Sequence, residues 1–154
     1  MPCTIGAAQE SDIPRLVELL RELFGHEADF AADAARQRRG LELLLAAAAN
    51  GERVNVAVAR DERGLAVGMA SAQLVISTAE GALSAWIEDV VVDAGWRRRA
   101  VGQHLVDYLI AWSKSRGATR AQLVTDTQNA GALLFYDRIG WTGTQLTVRR
   151  RPIE

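Results

Sequence analysis

The amino-acid sequence predicts an α+β fold in which helices cover the faces of one central sheet. Apolar residues recur every three to four positions near the start of the chain, which is the spacing of amphipathic helices. Between residues 54 and 92 they alternate with a period of two, which indicates a meander of strands. After residue 93, helical and strand-like segments alternate along the chain. This order of elements predicts a mixed sheet.

A short strand from Cys3 to Ala7 and then a helix are predicted to open the chain. The side-chain oxygens of Ser11 and Asp12 are suited to capping this helix, and Gly25 is suited to ending it. The segment from Ala31 to Ala49 has a high helix propensity and predicts one or two further helices. The apolar stripe of the first helix consists of Ile13, Leu16, Val17, Leu20, Leu23 and Phe24.

The strands of the meander are separated by turn sequences. The alternating segment from Val54 to Val58 and the segment from Ala66 to Ser77 flank a charged turn at Asp61 to Gly64, which predicts a hairpin. A third strand is predicted from Trp86 to Val92. Because this strand ends in consecutive valines, we expect it to lie inside the sheet with both faces covered.

The second half of the chain alternates between helices and strands. The apolar spacing predicts a helix from about Ala100 to Arg116 and another from Ala130 to Ile139. A strand is predicted between them, from Arg120 to Thr125. The segment from Trp141 to Arg150 is predicted to form a final strand or hairpin, because it contains a Thr-Gly turn.

Length and composition favour one globular unit. The chain has 154 residues, of which 49% are hydrophobic and 24% charged, so we expect a single domain over residues 1–154. A formal net charge of -1 and a pI near 6.1 argue against a surface that binds nucleic acid. No apolar run reaches the roughly 20 residues that cross a bilayer, and the first residues do not resemble a signal peptide. We therefore expect a cytoplasmic protein that binds neither nucleic acid nor a membrane.

A single cysteine limits the chemistry that the sequence predicts. Cys3 cannot form a disulfide within the chain, and the Cys and His residues have neither the number nor the spacing of a zinc site. No histidine lies near Cys3 in sequence to activate a thiolate for covalent catalysis. The sequence thus predicts a reducing compartment and a reaction that needs neither a metal nor an acyl-cysteine.

The most informative local feature lies between the third strand and the following helix. Arg97, Arg98 and Arg99 stand at the start of that helix, where positive side chains oppose the helix dipole. A bound anion relieves this conflict, because free helix N–H groups and arginine side chains together bind phosphate groups. Gly102 allows a ligand to approach the backbone closely. The alternative is a solvated basic turn before an ordinary surface helix.

Two motifs give the sequence a family resemblance. The segment Arg97-x-x-Ala100-x-Gly102 resembles the acetyl-CoA signature Q/R-x-x-G-x-G/A of the GNAT N-acetyltransferases. The segment from Asn129 to Trp141, NAGALLFYDRIGW, is similar to that family's N-x-x-A-x-x-F-Y-x-x-x-G-F/W motif. The resemblance implies a GNAT fold, with a mixed, mostly antiparallel sheet of about six to seven strands, about four flanking helices and splayed central strands.

The resemblance also implies an activity and a cofactor site. It implies an acetyl-CoA-dependent N-acetyltransferase, with acetyl-CoA as the cosubstrate. In this family, backbone groups of the central strand pair with the pantetheine arm, and loop amides and arginines hold the pyrophosphate. The implied cofactor-binding residues are Val90, Val91, Val92, Arg97, Arg98, Arg99, Ala100, Val101, Gly102, Asn129 and Phe135.

Two positions depart from the family pattern. Ala100 stands where the first signature glycine is expected, and Arg98 stands where a glycine is common. A methyl group at Ala100 penalises positive φ and restricts the approach of a ligand to the backbone. The departure puts the affinity of the pyrophosphate site in question and leaves more of the binding to the arginine side chains.

The implied chemistry needs a neutral amine, a stabilised oxyanion and a proton for the leaving thiolate. Tyr136 is the family-like candidate for protonating the sulfur atom, and an ordinary core tyrosine is the alternative. For the amine proton, Glu88 is the first candidate, followed by Asp89 and by bulk water. Adjacent strand residues point to opposite faces, so only one of these carboxylates is expected to face a given cleft. Direct transfer in a ternary complex is the expected mechanism.

Acidic residues suggest where the acceptor binds. The stretch from Glu22, near the end of the first helix, to Asp33 also contains Glu27 and Asp29, and the loop between the first two helices often borders the acceptor cleft in this family. An acidic rim would attract a cationic amine, although a solvated loop explains the same charges. The primary amine of a small molecule is the first expectation, and a peptide or protein amine is the second. The alternative to an enzyme is a non-catalytic acyl-CoA-binding or regulatory module, and the resemblance also suggests a homodimer.

Overall fold

The computed structural model describes residues 3–27 and 29–154. The chain divides into two compact units, of which the first ends at Leu123 and the second runs from Val124 to Glu154. Helices and a sheet form the first unit, and one helix with its flanking segments forms the second. In the described residues, no helix combines the length and the apolar character needed to cross a membrane.

The sheet of the first unit has five strands in the order β1-β2-β3-β4-β5. Strands β1 to β4 pair antiparallel with their neighbours, and β5 joins β4 in parallel. The prediction of a mixed, mostly antiparallel sheet is therefore confirmed. The strands are β1 (Thr4–Ala7), β2 (Val54–Arg60), β3 (Ala66–Ser77), β4 (Ala82–Val92) and β5 (Ala118–Gln122).

Strands β4 and β5 pair over only part of their length. The parallel ladder joins residues 83–86 of β4 to β5, whereas β4 itself continues to Val92. Within the described residues, no other strand pairs with that side of β4 beyond Trp86. The backbone of the last part of β4 is thus open on one side, as the expectation of splayed central strands requires.

The predicted strand count is too high, because one predicted strand does not form in the described residues. Residues 141–150 have no strand conformation. Their alternating apolar side chains are exposed, Leu146 by 84% and Val148 by 58%. Alternation produces a strand only where a neighbouring strand supplies hydrogen bonds. The five strands of the described sheet all belong to the first unit.

The helices follow the predicted order with shifted ends. A 3-10 turn, Glu10–Asp12, precedes the first helix, and the Asp12 carboxylate accepts a hydrogen bond from the Gln9 amide at 2.7 Å. The alanine-rich segment forms one helix that contains Gly40. The helices are α1 (Ile13–His26), α2 (Ala34–Asn50), α3 (Val101–Ser115) and α4 (Ala130–Arg138).

Helices cover both faces of the sheet in the first unit. On one face, the predicted stripe of α1 packs with Leu41 of α2 against Val58, Met69 and Val91. On the other face, a Cβ at Gly68 would lie 3.1 Å from Leu105 of α3. Because neighbouring strand residues point to opposite faces, α3 lies on the side of the sheet away from α1.

Candidate active site

A bulge interrupts β4 at the predicted catalytic carboxylates. The pairing of β3 with β4 shifts by one residue, so that Asp89 and Val90 together lie opposite the single residue Ala70. Asp89 has a φ of 55°, in the left-handed region that favours glycine. Aspartate is among the side chains that tolerate this conformation best, which explains why this residue type can stand at the bulge.

The bulge changes which side chains share a face of β4. Glu88 lies opposite Ser71, and Val91 lies opposite Met69. Ser71 and Met69 are two residues apart and point to the same face, so Glu88 and Val91 also share a face. Since Val91 and Met69 belong to the core beneath α1, Glu88 faces the same side as α1 and α2.

Glu88 and Asp89 line the same cleft, so the expectation that only one of them faces it is wrong. The cleft has a volume of 530 Å³ and lies between β4, α1 and α2. The expectation assumed a regular strand, whereas the extra residue of the bulge breaks the alternation of side chains. We call this cleft the acceptor cleft, after the role that the family resemblance implies for this region, and its apolar side chains are Leu20, Phe24, Leu41, Leu43, Leu44 and Ala47.

The electrostatics of the acceptor cleft single out Asp89. Burial is the main cause that raises the pKa of the Asp89 carboxyl from 3.8 to about 6, and the charges of Glu88 and Glu27 raise it further. A carboxyl group with this pKa is mostly ionised at neutral pH and can still accept a proton effectively. Glu27 therefore acts on the cleft through its charge, as the acidic segment after α1 suggested.

Trp86 orients Glu88. The indole Nε1 of Trp86 donates a hydrogen bond to Oε1 of Glu88 at 2.7 Å. The sequence reasoning did not identify Trp86 as a site residue, although its spacing of two from Glu88 places both on one face of the strand. It also missed Phe24 and Gln73, because a cleft between α1, α2 and the sheet depends on how these elements pack.

The loop before α3 adopts left-handed backbone at two positions. Arg98 has a φ of 59° and Ala100 a φ of 61°. These are the two positions where the family pattern favours glycine, so the methyl group at Ala100 does not prevent the loop conformation. Ala100 is also the N-cap of α3, and no side chain caps the helix there. The first amides of α3 are therefore not satisfied by a capping side chain, which suits an anion site.

The arginines of this loop have different partners. The Arg97 guanidinium donates from Nε to the carbonyl oxygen of Val92 at 3.2 Å, and its Nη2 lies 3.9 Å from Glu22. The Arg99 guanidinium carbon lies 5.1 Å from the ring centroid of Trp96, a cation–π distance. Glu22 thus pairs with the basic loop and is not among the residues that line the acceptor cleft.

An ion pair from α1 fixes the base of the loop. Asp93 accepts a hydrogen bond from the Gly95 amide at 2.9 Å and pairs with the Arg15 guanidinium. Arg15 also donates from Nε to the carbonyl oxygen of Ala66 at 3.1 Å. These contacts connect the end of β4, the start of β3 and α1 beneath the arginines.

The second motif forms a capped helix within the second unit. The side-chain oxygen of Asn129 accepts a hydrogen bond from the Ala132 amide at 3.0 Å and so caps α4. Tyr136 makes edge contacts with Phe135 and Trp141, with ring centroids 5.0 Å and 6.0 Å apart. The contact described for Asn129 is structural, and its cofactor role comes from the resemblance alone.

A larger cleft lies elsewhere in the first unit. It has a volume of 900 Å³ and borders α2, β2 and the C-terminal part of α3. It includes none of the residues that the motifs identified, and two of its charged residues, Arg116 and Glu52, pair with each other at 3.1 Å. We therefore place the candidate active site at the smaller acceptor cleft.

Cys3 has the environment of an inert thiol. The residue is buried in the first unit, and burial raises the pKa of its thiol. Reactive cysteines instead have a lowered pKa and partial exposure. The environment of Cys3 therefore agrees with a mechanism that forms no acyl-cysteine.

Comparison with models of protein families identifies the family of the chain. The sequence matches a model described as the acetyltransferase (GNAT) family over residues 13–141. The match covers well over half of the chain, and the chain therefore belongs to this family. The family predicted from the two motifs, and the GNAT fold that it implied, are confirmed.

One individual protein resembles the chain over part of its length. The chain is similar to an uncharacterized N-acetyltransferase of Methanocaldococcus jannaschii, with 35% identity over 66 residues. This match covers 43% of the chain and 29% of that relative, so the chain spans less than a third of its length.

Solved structures share the fold at low identity. A possible acetyltransferase from Clostridium difficile 630 aligns with a TM-score of 0.83 and 15% identity, over 100% of this chain and 99% of that chain. An aminoglycoside acetyltransferase from an uncultured soil metagenomic sample, solved in complex with sisomicin, aligns with a TM-score of 0.74 and 21% identity. The alignment covers 99% of this chain and 97% of that chain. At these identities the likeness establishes the fold.

Proposed function

We propose that this chain is an acetyl-CoA-dependent N-acetyltransferase that acts on the primary amine of a small molecule. The observation that carries the proposal is the left-handed backbone at Arg98 and Ala100, which leads into the uncapped start of α3. Successive backbone N–H groups of a turn that contains left-handed residues can point toward one spot and so favour an anion. Family membership supports the same assignment, since it makes acetyl-CoA the expected source of that anion.

The residues of the loop and of β4 fit acetyl-CoA. The amides from residue 98 to 102, together with the exposed arginine side chains, would hold the pyrophosphate. The open side of β4 would pair with the pantetheine arm through Val90 and Val92, in the manner of an added strand. The Arg97 side chain already donates a hydrogen bond to the carbonyl oxygen of Val92. The pantetheine arm can bind that oxygen only after Arg97 has released it.

The proposed reaction is direct transfer between acetyl-CoA and the amine. The acceptor enters as an ammonium group and gives a proton to Asp89, whose pKa is raised to about 6. The neutral nitrogen attacks the thioester carbon and forms a C–N bond, and the C–S bond then breaks. The thiolate takes a proton from Tyr136, the acid suggested by the resemblance. The nitrogen gives its second proton to the Tyr136 phenolate, Asp89 releases its proton to solvent, and the products are an amide and coenzyme A.

The structure favours Asp89 over Glu88 as the proposed base, which reverses their order from the sequence. Trp86 already donates a hydrogen bond to a Glu88 oxygen, whereas the pKa of Asp89 is raised toward neutrality. Glu88 then has a different proposed role, which is to attract the ammonium group with its charge. We also propose that residues 1–154 act as one domain, because the family match extends from the first unit into the second.

Calorimetric titration with acetyl-CoA tests the cofactor site. We expect micromolar binding by the natural sequence and at least a roughly tenfold loss in Arg99→Glu, because the change places a negative charge where a pyrophosphate would bind. Arg63→Glu is the matched control, since Arg63 is exposed in the turn between β2 and β3. Equal binding by the two variants, or no binding by the folded natural protein, would contradict the proposal.

A further inference from the structure

We propose that the acceptor is a primary monoamine with an apolar aliphatic or aryl body, bound in the acceptor cleft with its ammonium group at Glu88 and Asp89. This inference rests on the proposed function, because it names the substrate class of the same site. It follows from the distribution of apolar and charged side chains around the cleft.

The lining of the acceptor cleft away from β4 is mainly apolar. Leu20 and Phe24 of α1 face Leu41 and Leu44 of α2 across it. The neutral polar side chains that line the cleft are Gln37 of α2 and Gln73 of β3. A body rich in hydroxyl groups would leave most of them without hydrogen-bond partners, and each such buried group is costly. An apolar body avoids this cost and covers Leu43 and Leu44, the leucines of the cleft that retain exposed surface.

The apolar surface continues to the outside of the cleft. Leu43 is 55% exposed at its rim, and Phe30, which is 48% exposed, lies with its ring centroid 5.4 Å from that of Phe24. Exposed large apolar side chains that cluster at an opening are typical of a binding surface. A volume of 530 Å³ lies within the range of small-molecule sites, which run from about 300 to 1,000 Å³.

The charges of the acceptor cleft match one ammonium group. The carboxylates that line it, Glu88 and Asp89, are neighbours on β4, and Glu27 acts on the same point. On the α2 side the charged lining residue is Arg36, which is held 3.5 Å from the Asp33 carboxylate. Among the described lining residues, a second ammonium group at a distance from the first would meet apolar side chains, two glutamines or this arginine, and no further carboxylate. The arrangement therefore disfavours polyamines and aminoglycosides as acceptors.

A comparison of four amines tests the substrate class. The full chain is assayed with acetyl-CoA and with hexylamine, 2-phenylethylamine, spermidine or glucosamine, and the release of the coenzyme A thiol is followed. We expect kcat/KM for the two apolar amines to exceed that for spermidine and glucosamine by about tenfold or more, because the apolar contacts are made only by the first pair.

Leu43→Gln tests whether the apolar rim contributes. The change replaces a half-exposed side chain and should leave the fold intact. We expect kcat/KM for hexylamine to fall about tenfold with an unchanged KM for acetyl-CoA. Leu65→Gln is the matched control, because Leu65 is 50% exposed and does not line the cleft. Equal effects of the two variants would overturn the inference.

The outcomes separate this inference from the proposed function. A preference for spermidine or glucosamine overturns the apolar substrate class and leaves the acetyltransferase proposal standing. Absence of turnover with all four amines also overturns the substrate class. The calorimetric titration with acetyl-CoA then decides separately whether the proposed function survives.

Discussion

Asp89 combines a half-buried carboxylate with a backbone conformation that few residues accept. Its φ of 55° belongs to the bulge, and its pKa of about 6 follows mainly from burial beside two other acidic residues. Both features oppose folding at neutral pH, since the charged form loses hydration and the left-handed backbone is strained. A residue that weakens the fold and lines a cleft is typical of a functional site.

Asp89→Asn should make the protein more stable at high pH. The folded state binds an extra proton at Asp89 between about pH 4 and pH 6, so the favourable contribution of the protonated carboxyl is lost as the pH rises through about 6. We expect the variant to gain up to about 3 kcal/mol in the free energy of unfolding at pH 8 and little at pH 4. Asparagine also tolerates positive φ. Urea denaturation of both proteins at pH 4 and pH 8 measures the difference in the free energy of unfolding at each pH.

A second measurement connects this residue with the reaction. In the natural protein kcat/KM should rise through about pH 6, and Asp89→Asn should remove that rise. Glu62→Gln, an exposed change in the turn between β2 and β3, serves as the control for both measurements. A stability gain that is the same at pH 4 and pH 8 would show that the charge of Asp89 is not its cause.

Ala100→Gly should stabilise the protein, because glycine adopts the φ of 61° without strain. Left-handed backbone costs an alanine about 1–2 kcal/mol, and the greater freedom of glycine in the unfolded chain removes part of the gain. We expect a net increase of about 0.5–1 kcal/mol in thermal or urea unfolding. Ala111→Gly in the exposed face of α3 is the matched control and should lower stability by about 1 kcal/mol. A loss of stability in both variants would contradict the described loop conformation.

The contact of β3 with α3 depends on one missing side chain. A Cβ at Gly68 would lie 3.1 Å from Leu105 and 3.1 Å from the carbonyl oxygen of Val91, and 3.4 Å from Val101. The helix can lie this close to the sheet only because residue 68 is glycine and has no side chain. The helix that begins at the basic loop is thereby held directly against the strand that pairs with β4.

Gly68→Val should destabilise the protein by about 1–3 kcal/mol, since the added atoms overlap packed side chains and backbone. Urea denaturation measures the change. Gly25→Ala is the control, because a Cβ there meets nothing within 4 Å, and the helix propensity of alanine should raise stability by up to about 1 kcal/mol. An unchanged stability of Gly68→Val would mean that α3 lies farther from the sheet than described.

The periodicity of the sequence predicted the helices and the hairpin, and it could not predict the bulge. The stripe of α1 and the turn at Asp61 depend on local spacing, and the structure contains both. The bulge at Asp89 is a relation between two strands that are distant in sequence, so spacing within β4 carries no sign of it. For this reason the sequence placed Glu88 and Asp89 on opposite faces.

Over the molecule as a whole, the motifs predicted the family and the order of elements, while packing determined the acceptor cleft. The basic loop was predicted because its residues are consecutive in sequence. Phe24, Leu44 and Gln73 come from three different elements and meet only after folding. The strand predicted over residues 141–150 failed for a related reason, because a ladder requires a partner that local alternation does not specify.

The bulge joins the chemistry of the acceptor cleft to the hydrophobic core. In a regular strand the same residues of β4 would place Glu88 and Val91 on opposite faces, and Val91 would then point away from the core beneath α1 or Glu88 away from the cleft. A lineage that lost the need for catalysis could therefore not straighten β4 by substitutions alone without disturbing this core. Selection on folding alone would preserve the backbone that presents the two carboxylates, so the site can persist through changes of acceptor.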